Sequence, residues 1–232
     1  AGAVNPELGA VHAVKSLVYD SEAFQGETRF AGVSRVVHIS AAKGTADPVA
    51  ETSWLQALAD QTGMPQAIIG YTRLGGEGVA ASLERHATSP NFRGVRDLAA
   101  ASMLDNPSFL TGFARLADHH MIFELDCTWE HMRAARTLAD RFPQTPIVLD
   151  HGGFRRNTAR SHYPEWKAAI GELAKAENVY CKISGLSLLS ATWTVEGVTP
   201  WVMAAVEEFG SNRCFFGTNW PVDRAFASYD AV

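Results

Sequence analysis

Seven short apolar segments recur along this chain, and the intervals between them carry helix signals. The segments are VVHIS (36–40), AIIGY (67–71), FRGVR (92–96), MIFELD (121–126), PIVLDH (146–151), VYCKIS (179–184) and RCFFGTN (213–219). Their centres lie about 25 to 35 residues apart, the length of one strand, one crossover helix and two loops. Several segments are apolar on consecutive residues, as strands covered on both faces are. The alternation therefore predicts an α/β protein with a parallel sheet.

The intervals predict helices from two kinds of signal. In three of them a capping residue precedes proline at the first helical position: Asp47–Pro48, Asn106–Pro107 and Thr199–Pro200. Apolar residues also recur on single helix faces, first as Trp54, Leu55 and Leu58 before Gly63, and later as Met132, Ala135, Leu138 and Phe142. We expect a helix in each of these intervals.

The number of strands decides between two parallel architectures. An open sheet that binds a nucleotide usually carries GxGxxG after its first strand, whereas this chain has GGEG at 75–78, which we interpret as a loop. Seven strands are one fewer than a closed barrel has. We predict a (β/α)8 TIM barrel that lacks its first strand and its C-terminal helix in this chain, with residues 1–232 forming one domain that is incomplete at both ends.

Charge and cysteine content argue against several classes of function. The 25 acidic and 20 basic residues give a formal net charge of −5 without long runs of one sign, whereas nucleic-acid and membrane-surface binders need clustered lysine and arginine. The 3 cysteines are far apart and form no CxxC motif, so neither a disulfide framework nor a zinc ribbon is indicated. The sequence shows neither an apolar run of about 20 residues nor a signal segment, and we expect a cytoplasmic protein.

In a barrel of this type the reactive groups stand at the carboxyl ends of the strands. The polar residues that end the predicted strands are His38, Tyr71, Arg96, Glu124, Asp126, His151, Lys182, Ser184 and Asn219, with Asp223 shortly after. The helices and loops hold His86, His119, His120, His131 and His162, which we interpret as solvated. The strand ends therefore predict a site that contains imidazole, cationic and carboxylate groups.

His151 closes the fifth segment at a sharp turn. Gly152 and Gly153 follow it, and they allow the backbone to turn and leave the imidazole at the rim of the barrel. The alternative is a histidine that caps the strand and bonds a nearby carbonyl. Asp150 is either a partner that orients this imidazole or a loop carboxylate.

Two cations have both a functional and a structural interpretation. Arg96 either holds a substrate carboxylate in a bidentate contact or forms an ion pair in the barrel wall. Lys182 lies within a strand, and we assign it to the site because a buried ammonium needs a polar partner. Glu124 and Asp126 share a strand face, and an ion pair of one of them with Lys182 is the structural alternative.

Six longer motifs resemble those of amidohydrolase family 2, and within it the lactonase-like group of metal-dependent hydrolases. They are DPVAETSWLQALADQTG, FRGVRDL, FPQTPIVLDHGG, NVYCKISGL, WTVEGVTPWV and EEFGSNRCFFGTNWPVDRAFASYDA. In the family's order they cover nearly the whole chain from about Val33 to Ala231. The resemblance implies a (β/α)8 barrel that hydrolyses a lactone or an amide, in many members with a divalent metal, for which we expect zinc. In related barrels the reaction is a metal-assisted decarboxylation.

The resemblance also implies roles for single residues. His151 matches the family's strand-end histidine, a metal ligand or an acid group for the substrate carbonyl, and Arg96 matches the arginine that holds a substrate carboxylate. Asn219 stands where most members have an aspartate that activates water, and an amide cannot accept the proton. Asp223 is then either a substitute base or a brace for the loop. The His-x-His pair that ends the first strand in the family does not occur in the 232 residues, which weakens the expectation of a metal.

We therefore expect a hydrolase of a small lactone, with an amide as the less favoured substrate, acting on an acidic or sugar-derived compound. The expected catalytic residues are His151, Asn219 and Asp223, with His151 also the metal ligand, and the expected substrate-binding residues are Arg96, Lys182, Tyr71, Asp126 and Trp220. The alternatives are a metal-dependent decarboxylase and a non-catalytic acid-binding barrel. The expected partner is a small molecule, not nucleic acid or a membrane. Since such barrels often pair, a homodimer is one expectation for the oligomeric state.

Overall fold

Seven parallel strands form one sheet in the computed structural model, which describes residues 19–41, 46–155 and 158–232. The strands are β1 (Val37–Ile39), β2 (Ala67–Tyr71), β3 (Phe92–Arg96), β4 (Ile122–Leu125), β5 (Ile147–Leu149), β6 (Val179–Ile183) and β7 (Cys214–Phe216). Their order in the sheet is their order in the sequence, and each pairs in parallel with the next. All seven predicted strands are confirmed.

Seven α-helices accompany the strands in the described residues. They are α1 (Ser21–Thr28), α2 (Ala50–Thr62), α3 (Val79–Ala87), α4 (Pro107–Ala114), α5 (Met132–Arg141), α6 (Tyr163–Ala174) and α7 (Val195–Phe209). Helices α2 to α7 each connect two consecutive strands, and the sheet curls into a barrel in which no described residue pairs β7 with β1. The predicted parallel α/β barrel is confirmed, with seven strands in the residues that the structure describes. Among the described helices, none is both long and apolar enough to cross a bilayer.

The main core lies between the sheet and the helices. Phe109 and Phe113 of α4 pack against Phe123 of β4, with ring centroids 6.1 and 5.1 Å apart. Trp166 of α6 contacts Trp201 of α7 at 4.9 Å, and all five side chains are buried. Because these rings cover the outer face of the strands, the opposite face is left to line the barrel interior.

Helix α2 differs from the prediction at its start and on its buried face. Asp47 Oδ1 accepts a hydrogen bond from Val49 N within a turn, and the helix begins later than predicted, at Ala50. Leu55 is buried as predicted, but Trp54 is 52% exposed. Adjacent helical residues lie about 100° apart around the axis, so the two cannot share the centre of one narrow face.

The predicted start of the last helix was wrong. Asn106 caps α4 as predicted, but Thr199 does not cap α7, which is capped by Thr194 and runs through Pro200. Proline removes one hydrogen bond from a helix interior. Trp201 beside it is buried and offsets part of this cost, since burial of a large apolar side chain contributes about 1.5–3 kcal/mol.

Residues next to each other in a strand face opposite sides of the barrel wall. Gly70 faces the helices, since a Cβ atom there would lie 2.6 Å from Thr52 Oγ1 and 2.7 Å from His86 Cε1. Tyr71 therefore faces the interior. The interpretation of His86 as solvated was wrong, because its ring is fully buried between Thr52 Oγ1 at 2.9 Å and Tyr71 O at 3.0 Å, and burial lowers its pKa.

Candidate active site

A row of inward-facing side chains crosses three neighbouring strands. Tyr71 of β2 pairs in register with Arg96 of β3, and Arg96 pairs with Glu124 of β4. Register partners share a face, so all three residues face the barrel interior. They stand at or near the carboxyl ends of their strands, where barrels of this type hold their reactive groups.

Lys182 of β6 connects this row to the turn after β5. Its Nζ donates to Glu124 Oε2 at 2.5 Å and to Asp150 Oδ1 at 2.7 Å. Asp150 Oδ2 also accepts from Arg96 Nη1 at 3.2 Å. The side chains of Lys182, Glu124 and Asp150 are all buried. Two cations and two carboxylates thus form one ion-pair network inside the mouth of the barrel.

The two carboxyl groups of this network have pKa values that are shifted in opposite directions. Burial and the charge of Asp150 raise the pKa of Glu124 well above its ordinary value, although Lys182 opposes the shift. Burial would also raise the pKa of Asp150, but the charges of Lys182, His151 and Arg96 outweigh it and lower that pKa. Asp150 is therefore the group that stays ionised, and Glu124 takes up a proton first as the pH falls.

The ion pairs that the sequence left as structural alternatives are present. Lys182 pairs with Glu124, and Arg96 pairs with Asp150 across the interior. Asp150 lies in the turn after β5, but it is 1% exposed and contacts both cations, so it does not stand in solvent. Arg96 Nε makes no hydrogen bond within the described residues, so the guanidinium keeps a donor for a ligand. Substrate binding by Arg96 and Lys182 stays a prediction.

The turn after β5 holds His151 in a left-handed conformation. Its φ is 55°, followed by 57° at Gly152 and 71° at Gly153, a region that glycine adopts without steric cost. Trp166 Nε1 donates to Gly152 O at 2.8 Å and fixes the turn from the helix side. His151 Nδ1 lies 2.8 Å from Ser184 Oγ, so its partner is a hydroxyl and not the carbonyl of the alternative interpretation.

Asp223, a further predicted residue, connects the segment after β7 to the segment after β6, and Asn219 contacts it within its own segment. Asp223 Oδ1 accepts from Ser187 Oγ at 2.7 Å and from Asn219 Nδ2 at 3.1 Å. Ser184, at the end of β6, contacts His151, and Ser187 lies on the turn that follows. One short segment of the chain thus bonds both His151 and Asp223 and brings them to the same part of the mouth.

The other predicted substrate-binding residues are placed differently. Tyr71 belongs to the inward row described above, and Asp126 is half-buried beyond the end of β4, outside the ion-pair network. The indole Nε1 of Trp220 lies 2.7 Å from Glu27 Oε2 and 2.8 Å from Tyr19 OH. Because its one N–H is engaged there, Trp220 has only its ring to offer a substrate.

Sequence reasoning missed several residues that support this site. Ser187 holds Asp223, and its position shortly after Ser184 was the available signal. Glu27 accepts from Trp220 and pairs with Arg224 at 3.2 Å. No sequence signal could connect Glu27 to Trp220, which is 193 residues away along the chain.

The described residues do not fit a metal ion by themselves. No group of three His, Cys, Asp or Glu side chains among them could hold one. Glu124 and Asp150 accept from Lys182, and His151 is the histidine that stands beside them. A zinc site needs three or four nitrogen, sulfur or oxygen ligands, and the described residues do not bring that number together.

His38 lies outside the mouth, although it is one of the polar residues near the ends of the predicted strands. It pairs in register with Ile68, which shares a strand face with Gly70, so its side chain faces the helices. Its Nε2 lies 3.3 Å from Glu51 Oε1, and Ser40 Oγ also donates to this carboxylate. Burial opposes ionisation of Glu51, but the bonds from His38 and Ser40 outweigh it and lower its pKa from 4.5 to about 2.

Glu51→Gln is expected to make folding less sensitive to acid. Since the folded-state pKa is lower than the ordinary value, the carboxylate contributes stability above pH 4.5 that is lost as the pH falls towards 2. Urea melts should show that the variant is less stable than the wild type near neutral pH and that the difference shrinks over this interval. Glu77→Gln, at an exposed position, is the control, and a constant difference would contradict the assignment.

The fold and the site together define a class of protein: a parallel (β/α) barrel with a charged site at the carboxyl ends of its strands. The sequence model of the amidohydrolase family, described as "Amidohydrolase", matches residues 12–232. This chain belongs to that family, which confirms the resemblance seen in its motifs and the prediction of a hydrolase.

Individual relatives and a solved structure agree with the family. The protein y4mH of Sinorhizobium fredii is 32% identical over 241 residues, covering 99% of this chain and 81% of that protein. An L-fucono-1,5-lactonase of Burkholderia ambifaria is 31% identical over 214 residues, covering 86% of this chain and 70% of the lactonase. The crystal structure of an amidohydrolase from Burkholderia multivorans with bound zinc has a TM-score of 0.83 and 25% identity, covering 97% of this chain and 82% of that one.

Proposed function

We propose that this protein hydrolyses a neutral, hydroxylated lactone derived from a sugar, at the mouth formed by the carboxyl ends of its strands. The observation that carries the proposal is the ion-pair network beside His151, in which each cation already faces a carboxylate. Such a network offers donors and acceptors together, and hydroxyl groups need both. The similarity to the Burkholderia ambifaria lactonase supports the same class of substrate.

The charges at the mouth favour one of the two predicted substrate classes. They favour a neutral lactone derived from a sugar over a lactone that carries an acid group. Arg96 and Lys182 would attract a substrate carboxylate if they were unpaired, but Asp150 lies within 3.2 Å of both. A further anion at the mouth would meet repulsion from Asp150 and Glu124 that offsets the attraction of the two cations. Hydroxyl groups carry no charge and avoid this repulsion.

Hydrolysis would use His151 on the carbonyl and Asp223 on the water. His151 would polarise the lactone carbonyl, while Asp223 would accept a proton from the water whose oxygen attacks the carbonyl carbon. The ring C–O bond then breaks and the ring oxygen receives that proton, so one lactone and one water give one hydroxy acid. Asn219 would brace Asp223 and orient the water, and Arg96 would hold substrate hydroxyls.

Several finer points stay predictions for this chain. They are a bound zinc with His151 as a ligand, the participation of Tyr71, Asp126 and Trp220 in substrate binding, a single domain over residues 1–232, a homodimer and a cytoplasmic location.

Rates of acid release from L-fucono-1,5-lactone and from a lactone that bears a carboxylate test the proposal. We expect kcat/KM to be at least about tenfold higher for the neutral lactone, a difference of about 1.4 kcal/mol in the barrier. Glu124→Gln removes one carboxylate from the network and leaves an excess cation. In that variant we expect the ratio of the two kcat/KM values to move towards the carboxylate-bearing lactone, whereas Glu77→Gln should leave it unchanged.

Two outcomes would count against this function. A wild-type preference for the carboxylate-bearing lactone would overturn the neutral substrate class. Thermal stabilisation by either lactone without product would support the non-catalytic acid-binding barrel instead.

A further inference from the structure

Ser184 lies directly beside His151 and is almost completely buried. Its Oγ is 2.8 Å from His151 Nδ1, and the residue is 1% exposed. We propose that Ser184 is a positioning residue whose hydroxyl donates to Nδ1 and holds neutral His151 in the tautomer that carries its hydrogen on Nε2. The effect of Ser184 on turnover rests on the proposed lactone hydrolysis, whereas the tautomer does not.

The direction of this hydrogen bond follows from the surroundings of the hydroxyl group. Within the described residues, His151 Nδ1 is the one hydrogen-bond partner of Ser184 Oγ. If Nδ1 carried the hydrogen, the hydroxyl hydrogen of Ser184 would be buried without an acceptor, which costs about 1–3 kcal/mol. If the hydroxyl instead donates to Nδ1, only the lone pairs of Ser184 Oγ are unused. A buried oxygen with unused lone pairs costs less free energy than a buried donor without an acceptor.

The backbone holds the imidazole from another side. A Cβ atom at Gly185 would lie 2.8 Å from Nδ1 and 3.1 Å from Cγ of His151, so the ring packs closely against the chain there. The φ angle of Gly185 is 60°, a conformation in which a larger residue would be strained. With Nδ1 engaged by Ser184 and the ring against Gly185, Nε2 is the nitrogen left for the mouth.

This tautomer separates the two roles that the proposed reaction needs. An Nε2–H group can donate to the carbonyl oxygen but cannot accept a proton, so abstraction of the proton from water falls to Asp223. In this tautomer Nε2 carries the hydrogen, so it has no lone pair with which to bind a metal ion. Zinc at Nε2 would require the other tautomer and would leave the Ser184 hydroxyl without its acceptor.

Long-range proton–nitrogen correlation spectra of protein labelled with nitrogen-15 histidine distinguish the two neutral tautomers. They are recorded well above the ordinary histidine pKa of about 6.5, and the His151 signals are assigned by their loss in His151→Asn. We expect the Nε2–H form in the wild type and a shift towards the Nδ1–H form in Ser184→Ala. An Nδ1–H form in the wild type, or an unchanged tautomer in Ser184→Ala, would overturn the proposal.

Further variants separate positioning from a general structural role. Ser184→Thr keeps the hydroxyl and is expected to keep the Nε2–H form of His151. It therefore tests the proposal even if Ser184→Ala fails to fold. An Nδ1–H form of His151 in Ser184→Thr would count against the proposal. Ser89→Ala removes a buried hydroxyl away from the mouth and is expected to leave the His151 signals unchanged.

Kinetics then connect the tautomer to turnover. With L-fucono-1,5-lactone we expect Ser184→Ala to lower kcat about 10- to 100-fold with a smaller change in KM, and Ser184→Thr to retain most of the activity. Unchanged kcat in Ser184→Ala would contradict the positioning role. If the wild type hydrolyses no lactone, the proposed function fails, while the spectra still decide the tautomer.

Discussion

Replacing Lys182 by methionine is expected to lower the free energy of unfolding by about 3–5 kcal/mol. The ammonium is the shared partner of Glu124 and Asp150, at 2.5 and 2.7 Å, and all three side chains are buried. Without it, Arg96 is the one cation of this ion-pair network left beside two buried carboxyl groups. The effect is large because a buried charge that loses its partner keeps its desolvation penalty. Urea melts followed by circular dichroism measure the difference.

A matched control uses a lysine that pairs at the surface. Lys167 lies 3.6 Å from Glu207, and both side chains are exposed, so Lys167→Met is expected to change stability by about 1 kcal/mol or less. Adding Glu124→Gln to Lys182→Met removes a carboxylate together with the cation and should recover part of the lost stability. A loss below about 1 kcal/mol in Lys182→Met would show that Lys182 is not a buried partner of the two carboxylates.

Replacing His151 by asparagine is expected to lower kcat for the lactone by about 10²–10³-fold, the usual effect of removing one donor to a developing oxyanion. Asparagine tolerates the left-handed backbone, where φ is 55°, better than most residues. Its shorter side chain cannot place a donor where Nε2 stands. We therefore expect the loss in activity to occur with little change in the urea midpoint, measured on the same preparation.

His120 provides the control for this substitution. It is also a histidine with a left-handed backbone, at φ 52°, but it is exposed and precedes β4 away from the mouth. His120→Asn should retain wild-type kinetics. Wild-type rates in His151→Asn would remove His151 from the proposed mechanism and with it the assignment of the active site.

The strands could be predicted from the sequence because their signal is local. Residues Ile147 to Leu149 are apolar on three consecutive positions, and all three are buried, as in a strand covered on both faces. Helix starts were less predictable. Thr199 carries the same local signal as Asn106, yet packing of the last helix extends it back to Thr194. A capping preference of about 1 kcal/mol yields to the burial of large side chains.

For the site, the sequence indicated which residue types end the strands but not how they meet. An ion pair between Lys182 and Glu124 was one alternative, and it links residues 58 positions apart. The contact of Asp150 with both cations had no signal in the sequence. His38 ends a strand but faces the helices, and His86 lies on a helix but is buried, because each depends on which face of its element points inwards.

The sequence by itself determined that this chain is an α/β barrel of the amidohydrolase family with His151 at the end of β5. Alternating strands and helices and a Gly-Gly turn are properties of neighbouring residues, so they can be read locally. Only the tertiary structure decided that the cations at the mouth are balanced by carboxylates and that His151 contacts Ser184. Ion pairs and hydrogen bonds depend on distances of a few ångströms between strands that are far apart along the chain, and these distances exist only once the sheet has curled.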